Sequence, residues 1–143
     1  DALGHLNHTT FLRYFEDVRI GYLMHHGLSA PGPDATGCVL ARLDASYQQP
    51  IFYDERLVIA VRTAKIGNTS MTLEYGAWSV EKGPACQSTS LLVMVQTKTG
   101  EKQRVSDAMR TSISASIARS AVTVRTGCPL GKVRGTSWSL ACR

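Results

Sequence analysis

Asp1, His5, Asn7 and His8 place a carboxylate, two imidazoles and an amide within the opening octet DALGHLNH. From Thr9 onward, apolar side chains recur at helical spacing. A carboxylate a few residues ahead of a helix N-terminus stands beside backbone N–H groups that lack intrahelical acceptors and favour developing negative charge. Such an arrangement suits attack on a carbonyl: the Asp acts as base for water or as nucleophile, and the helix-end amides hold the oxyanion. The same residues also fit a capping loop with no chemistry, so the octet alone leaves both readings open. Asp1, His5 and His8 form a D-x3-H-x2-H spacing as well, but one short loop rarely supplies a complete set of metal ligands.

Other chemistry-bearing residues have plainer accounts. Arg19 lies inside the apolar stripe of the helix three residues after Glu16, which suits an intrahelical pair with its stem on the core; a contact to a substrate phosphate is the alternative. His25 and His26 close the helix, where an imidazole is favoured by the helix dipole. Lys65, Asn68 and Ser70 flank a Gly67 turn, and Tyr47 and Tyr75 fall in strands. GCPLGK (127–132) has three residues between its glycines and Val133 where a phosphate loop needs Ser or Thr. GxSxG, GxGxxG and HExxH do not occur, so serine-hydrolase, dinucleotide and zincin chemistry lack their signatures.

The elements that must position these residues follow from hydrophobic period. Thr9 to His26 reads as one helix, with Phe11, Leu12, Phe15, Val18, Tyr22 and Leu23 on one stripe, Asn7 or Thr9 as N-cap and Gly27 as the stop. Ile20 and Met24 lie on the other side, where something is expected to cover them. SAPGPDATG (29–37) is a loop by its Pro and Gly content, after which the period changes to two. Strands are expected over 39–49, 55–66, 69–81 and 86–98, separated by turn residues. Short links between them imply antiparallel neighbours in a four-strand meander. A last helix starts at Ser106 or Asp107, with Met109, Ile113 and Ile117 at helical spacing. The layout is α+β, one long helix against one curled sheet.

The 143 residues suit a single domain. The longest apolar runs, Leu57 to Val61 and Leu91 to Val95, have five residues each, too few to span a bilayer. Without an export signal pattern near the start, the cytoplasm is the expected compartment. The net charge of +5 resides wholly in residues 114–143, because residues 1–113 hold all 11 acids and a matching number of Lys and Arg. That Ser/Thr/Gly-rich segment is read as a separate tail, disordered or non-native, and its charge does not argue for nucleic-acid binding. The spacing of Cys38, Cys86, Cys128 and Cys142 suits neither a metal knuckle nor a dense disulfide framework.

Taken in order, DxxGHxN, the helix TTFLRYFEDVRIGYL and the strand phrases LARLDASYQQPIFYDERLVI, IGNTSMTLEYG and LLVMVQTKTG resemble acyl-CoA thioesterases of the hotdog fold, in the branch of the 4-hydroxybenzoyl-CoA thioesterase. The resemblance covers residues 1 to about 113. It implies a long central helix wrapped by an antiparallel β-sheet, with sheet pairing between subunits and active sites at the interface of a homodimer or homotetramer. Asp1 falls on the catalytic carboxylate and the backbone N–H near His8 on the oxyanion donor. Asn7 matches the first Asn of the common GHxNN form, while His8 replaces the second. His5, Lys65, Asn68 and Ser70 fall on loops near the cleft that help to hold the CoA portion.

The resemblance calls for no cofactor, and acyl-CoA is the expected partner, with neither nucleic acid nor membrane. Relatives carry a further strand before the catalytic Asp. The chain therefore reads as N-terminally truncated, and weak or absent activity is expected of it as it stands. Two rivals stay open: a non-catalytic hotdog module that binds acyl-CoA or dimerises, and a hotdog hydratase or dehydratase, against which DxxGHxN argues.

Overall fold

The computed structural model describes residues 4–28, 32, 34–115 and 120–126, the backbone alone for 120–125. Helix α1 (His8–His25) is followed by strands β1 (Thr36–Tyr47), β2 (Arg56–Ile66), β3 (Ser70–Ser79) and β4 (Gly83–Gln96), helix α2 (Asp107–Ala115) and strand β5 (Ser120–Arg125). The strands form one sheet in the order β1-β4-β3-β2-β5, with every pairing antiparallel.

The sequence explains where α1 starts and stops. Asn7 is the N-cap, its side chain accepting from the Thr9 N–H at 2.9 Å. At the other end Gly27 adopts φ +97° while the Leu28 N–H donates to Leu23 O at 2.9 Å, a left-handed stop that suits a residue without Cβ. The expected stripe is buried except for Leu12, which is half-buried against the core, and Tyr14 and Arg19 join it. It packs on one face of the sheet, where Leu57, Ile59, Leu73, Leu92 and Met94 alternate with outward-facing neighbours. Met109 and Ile113 of α2 complete this core, and the Ser106 hydroxyl caps α2 by accepting from the Met109 N–H at 3.1 Å. Ile117 lies outside the described residues.

Two findings depart from the sequence reading. The meander holds for β2, β3 and β4, but β1 pairs with β4 rather than β2. Three strand spacings come to roughly 14 Å, and the eight residues between β1 and β2 can reach about 27 Å, so a short link need not join neighbours. Gln49 marks the crossing: its side-chain amide donates to Lys82 O and Pro84 O, at 3.2 and 2.5 Å, as the link passes over the β3–β4 turn. The second departure is β5. A segment read only as tail supplies six residues that pair with β2 from Arg56↔Arg125 to Val61↔Ser120. SAVTVR does hold three consecutive β-branched residues, Val122 to Val124, but six residues inside a Ser/Thr/Gly-rich stretch give little periodic signal.

Candidate active site

The loop into α1 is fastened before the helix begins. His5 forms an isolated antiparallel bridge with Phe52, and the Leu6 N–H donates to Ile51 O at 2.6 Å. Asn7 then caps the helix, its Oδ1 also accepting from the Thr9 hydroxyl at 2.7 Å and its backbone O from the Thr10 N–H at 3.0 Å. Among the described residues, no group accepts from the His8 N–H. The first turn of α1 lies at the positive end of the helix dipole, an environment that stabilises an anion. Asp1 lies outside the described residues.

The six described candidates form two groups. His5, Asn7 and His8 stand where α1 begins, beside the residues leading into β2. Lys65, Asn68 and Ser70 surround the turn at the other end of β2. There the Asn68 side chain accepts from Arg104 Nε at 3.1 Å, and its backbone O accepts from the Val105 N–H at 2.8 Å. The Tyr22 hydroxyl, 2.9 Å from that of Thr63, fixes the last turns of α1 at this end. The two groups are thus separated by roughly the length of α1, about 27 Å at 1.5 Å per residue. One chain does not bring them together.

A second polar cluster, absent from the sequence reading, adjoins the first group. Glu55 accepts from the Phe52 N–H at 2.9 Å and from the Ser79 hydroxyl at 3.1 Å, and it pairs with Lys82. Burial pushes the Glu55 carboxyl up, but the bonds from Lys82, Phe52 and Ser79 outweigh it and hold the group below the ordinary carboxylate value. The Lys82 ammonium lies 4.6 Å from the centre of the Phe52 ring, and the His5 ring meets the same Phe52 edge-on at 5.7 Å. The phrase QQPIFYDE was visible in the sequence, but its meeting with Lys82 and His5 depends on a turn 27 residues away.

The remaining chemistry-bearing residues take structural roles. Arg19 is buried along α1 and lies 3.6 Å from Glu16, as an intrahelical pair would. His26 is buried, with Nδ1 2.8 Å from the Ser112 hydroxyl. Tyr75 sits in the core, its hydroxyl 2.8 Å from that of Ser90. Cys38 and Cys86 are free thiols, and burial pushes Cys86 up to about 11. On the opposite face of the sheet a cavity of about 570 Å3 is lined by Trp78, Gly76, Gln87 and the Arg62–Glu74 pair, and no predicted site residue lines it.

The family model of the thioesterase-like superfamily matches residues 1–113. The uncharacterized protein YsmA of Bacillus subtilis is 31% identical over 101 residues, which are 71% of this chain and 68% of that protein. A putative esterase of Aquifex aeolicus is 27% identical over 77 residues, 52% of this chain and 60% of its own length. Among solved structures, a thioesterase-superfamily protein from Jannaschia superposes with TM-score 0.73 at 26% identity, over 79% of this chain and 72% of that one. A Thermus thermophilus thioesterase, complexed with coenzyme A and Zn, superposes with TM-score 0.69 at 28% identity, over 80% and 83%.

Proposed function

This chain belongs to the thioesterase-like superfamily, and from that premise we propose that it hydrolyses an acyl-CoA thioester to a free acid and CoA. The observation that carries the reading is the start of α1: a first turn capped by Asn7 at the positive end of the helix dipole, directly after a loop fastened to Ile51 and Phe52. The likeness to the CoA-complexed Thermus thioesterase supports CoA as the carrier.

In this reading Asp1 either activates water or attacks the thioester carbonyl itself. The carbonyl oxygen becomes an oxyanion beside the His8 N–H, where the helix dipole favours it. Collapse of the tetrahedral species breaks the C–S bond; CoA leaves as thiolate and takes up a proton, and water supplies the second oxygen of the acid. The His8 imidazole is positioned as an auxiliary acid or base for that proton, and Asn7 holds the turn. His5, Lys65, Asn68 and Ser70 bind the CoA portion, Lys65 as a partner for phosphate.

Because the two groups of candidates stand at opposite ends of α1 in one chain, the complete site requires two copies. The start of α1 from one subunit faces the β2–β3 turn of the other in a homodimer, with a homotetramer as the higher form.

The test is release of free thiol from short, long and aromatic acyl-CoAs. It compares the protein with its Asp1→Asn variant. Release that Asp1→Asn abolishes supports the reading. A folded, unmutated protein that binds acyl-CoA and releases no thiol overturns it in favour of a binding module.

A further inference from the structure

Phe52 is 42% exposed, while its neighbour Ile51 is fully buried, so core packing does not explain an aromatic ring at this position. Its contacts do. The backbone N–H is held by Glu55 at 2.9 Å, and the backbone O accepts from the Thr126 hydroxyl at 2.7 Å. One side of the ring carries the Lys82 ammonium at 4.6 Å, within range of the attraction between a cation and an aromatic quadrupole, and Glu55 keeps that ammonium in place. The His5 ring meets the Phe52 ring at 5.7 Å with an interplanar angle of 69°, the edge-on geometry that aromatic pairs prefer.

Thr126 closes the arrangement from a segment beyond the family-matched region. It is 3% exposed. Besides the hydroxyl bond, its N–H donates to Glu55 O at 3.0 Å and its O accepts from the Asp54 N–H at 3.3 Å. Three hydrogen bonds from one residue therefore bind the turn from Phe52 to Glu55, in which Asp54 adopts φ +65°, a conformation costly for a residue with a Cβ and sustained by its surroundings.

We propose that Phe52 is a positioning residue for the loop entering α1, and that Thr126 holds Phe52 in place. The link is short. His5 bridges Phe52, Leu6 is bonded to Ile51, and the next residue, Asn7, is the helix cap. A shift of the 51–52 backbone moves the cap and the His8 N–H with it. The inference rests on the thioesterase reading for its catalytic consequence and on the contacts alone for its structural one.

Both consequences are measured in the full chain on Phe52→Leu, Phe52→Tyr and Thr126→Val. Phe52→Leu and Thr126→Val are expected to lower kcat about tenfold while KM changes less than about twofold, because sub-ångström misplacement of reacting groups costs rate more than binding. Phe52→Tyr, which keeps the ring, restores kcat. Amide exchange at Leu6 is expected to quicken about tenfold in the first two variants, with Ile59 in the core unchanged, as local opening would produce.

Unchanged Leu6 exchange in both variants overturns the proposal. So does faster Leu6 exchange with kcat intact in a protein that releases thiol. If the unmutated protein hydrolyses no acyl-CoA, the thioesterase reading falls, and Leu6 exchange alone decides the positioning role. If Phe52→Leu fails to fold, Thr126→Val carries both measurements.

Discussion

The Nδ1 atom of His26 lies 2.8 Å from the hydroxyl of Ser112, 86 residues further along the chain. This contact ties the C-terminal end of α1 to α2. The imidazole is buried, with the Tyr22 ring 4.6 Å away and the His25 ring 5.0 Å away. Burial first, and the neighbouring His25 second, lower its pKa from 6.5.

A histidine that folds into its neutral form binds fewer protons than in the unfolded chain, so its contribution to stability is complete above 6.5 and is lost as pH falls from there towards the lowered folded value. His26→Gln is expected to flatten the decline in urea midpoint between neutral and mildly acidic pH. Ser112→Ala is expected to cost about 1 kcal/mol at neutral pH, the net worth of one hydrogen bond. An unaltered pH slope in His26→Gln would show that other groups set the acid limb.

Asn7 has two duties that substitution can separate. Asn7→Ala removes the cap and is expected to cost about 1 kcal/mol and to lower thiol release. Asn7→Asp keeps an acceptor for the Thr9 N–H and adds negative charge favourable to the helix dipole, so stability is maintained. That same charge opposes an oxyanion beside the His8 N–H, and kcat is expected to fall all the same. Chemical denaturation run beside the thiol assay checks both; equal activity in Asn7→Asp and the parent would remove the oxyanion site from the start of α1.

On the outer face of β3, the indole of Trp78 lies over Gly76, where an added Cβ would run into ring carbon Cη2. Gly76→Ala must therefore displace the indole and is expected to cost about 1–3 kcal/mol, as overpacking does. In a Trp78→Ala background the obstruction is gone, and the same change should cost much less. A double-mutant cycle read by urea denaturation gives the coupling, and additive effects would mean that the ring moves aside freely.

If the site is completed by two copies, lesions at its two ends should complement. Asp1→Asn and Lys65→Glu are each expected to lower activity sharply as homodimers. Mixed at equal concentration with subunit exchange, they should recover about a quarter of parental activity, since half the dimers are hybrid and each hybrid holds one intact site. No recovery, with exchange verified by mass, would place both groups of residues in separate functions.

The sequence by itself determined the elements. A 3.6-residue stripe flanked by Asn7 and Gly27, and four period-two segments punctuated by turn residues, fixed α1 and β1 to β4 to within a few residues, because capping and alternation are local properties of the chain. It also marked the GHLN loop at the start of α1. Tertiary structure alone decided which strands lie together: β1 crosses to β4, since an eight-residue link reaches past its nearest neighbour, and a short segment of the basic tail becomes β5 by pairing with β2. It also decided that His5 meets Phe52 and, through Phe52, Lys82 and Thr126, while Lys65 and Asn68 stand at the far end of the helix. Contacts between residues far apart in sequence follow from how the sheet curls around α1, and no local pattern of residue types encodes that geometry.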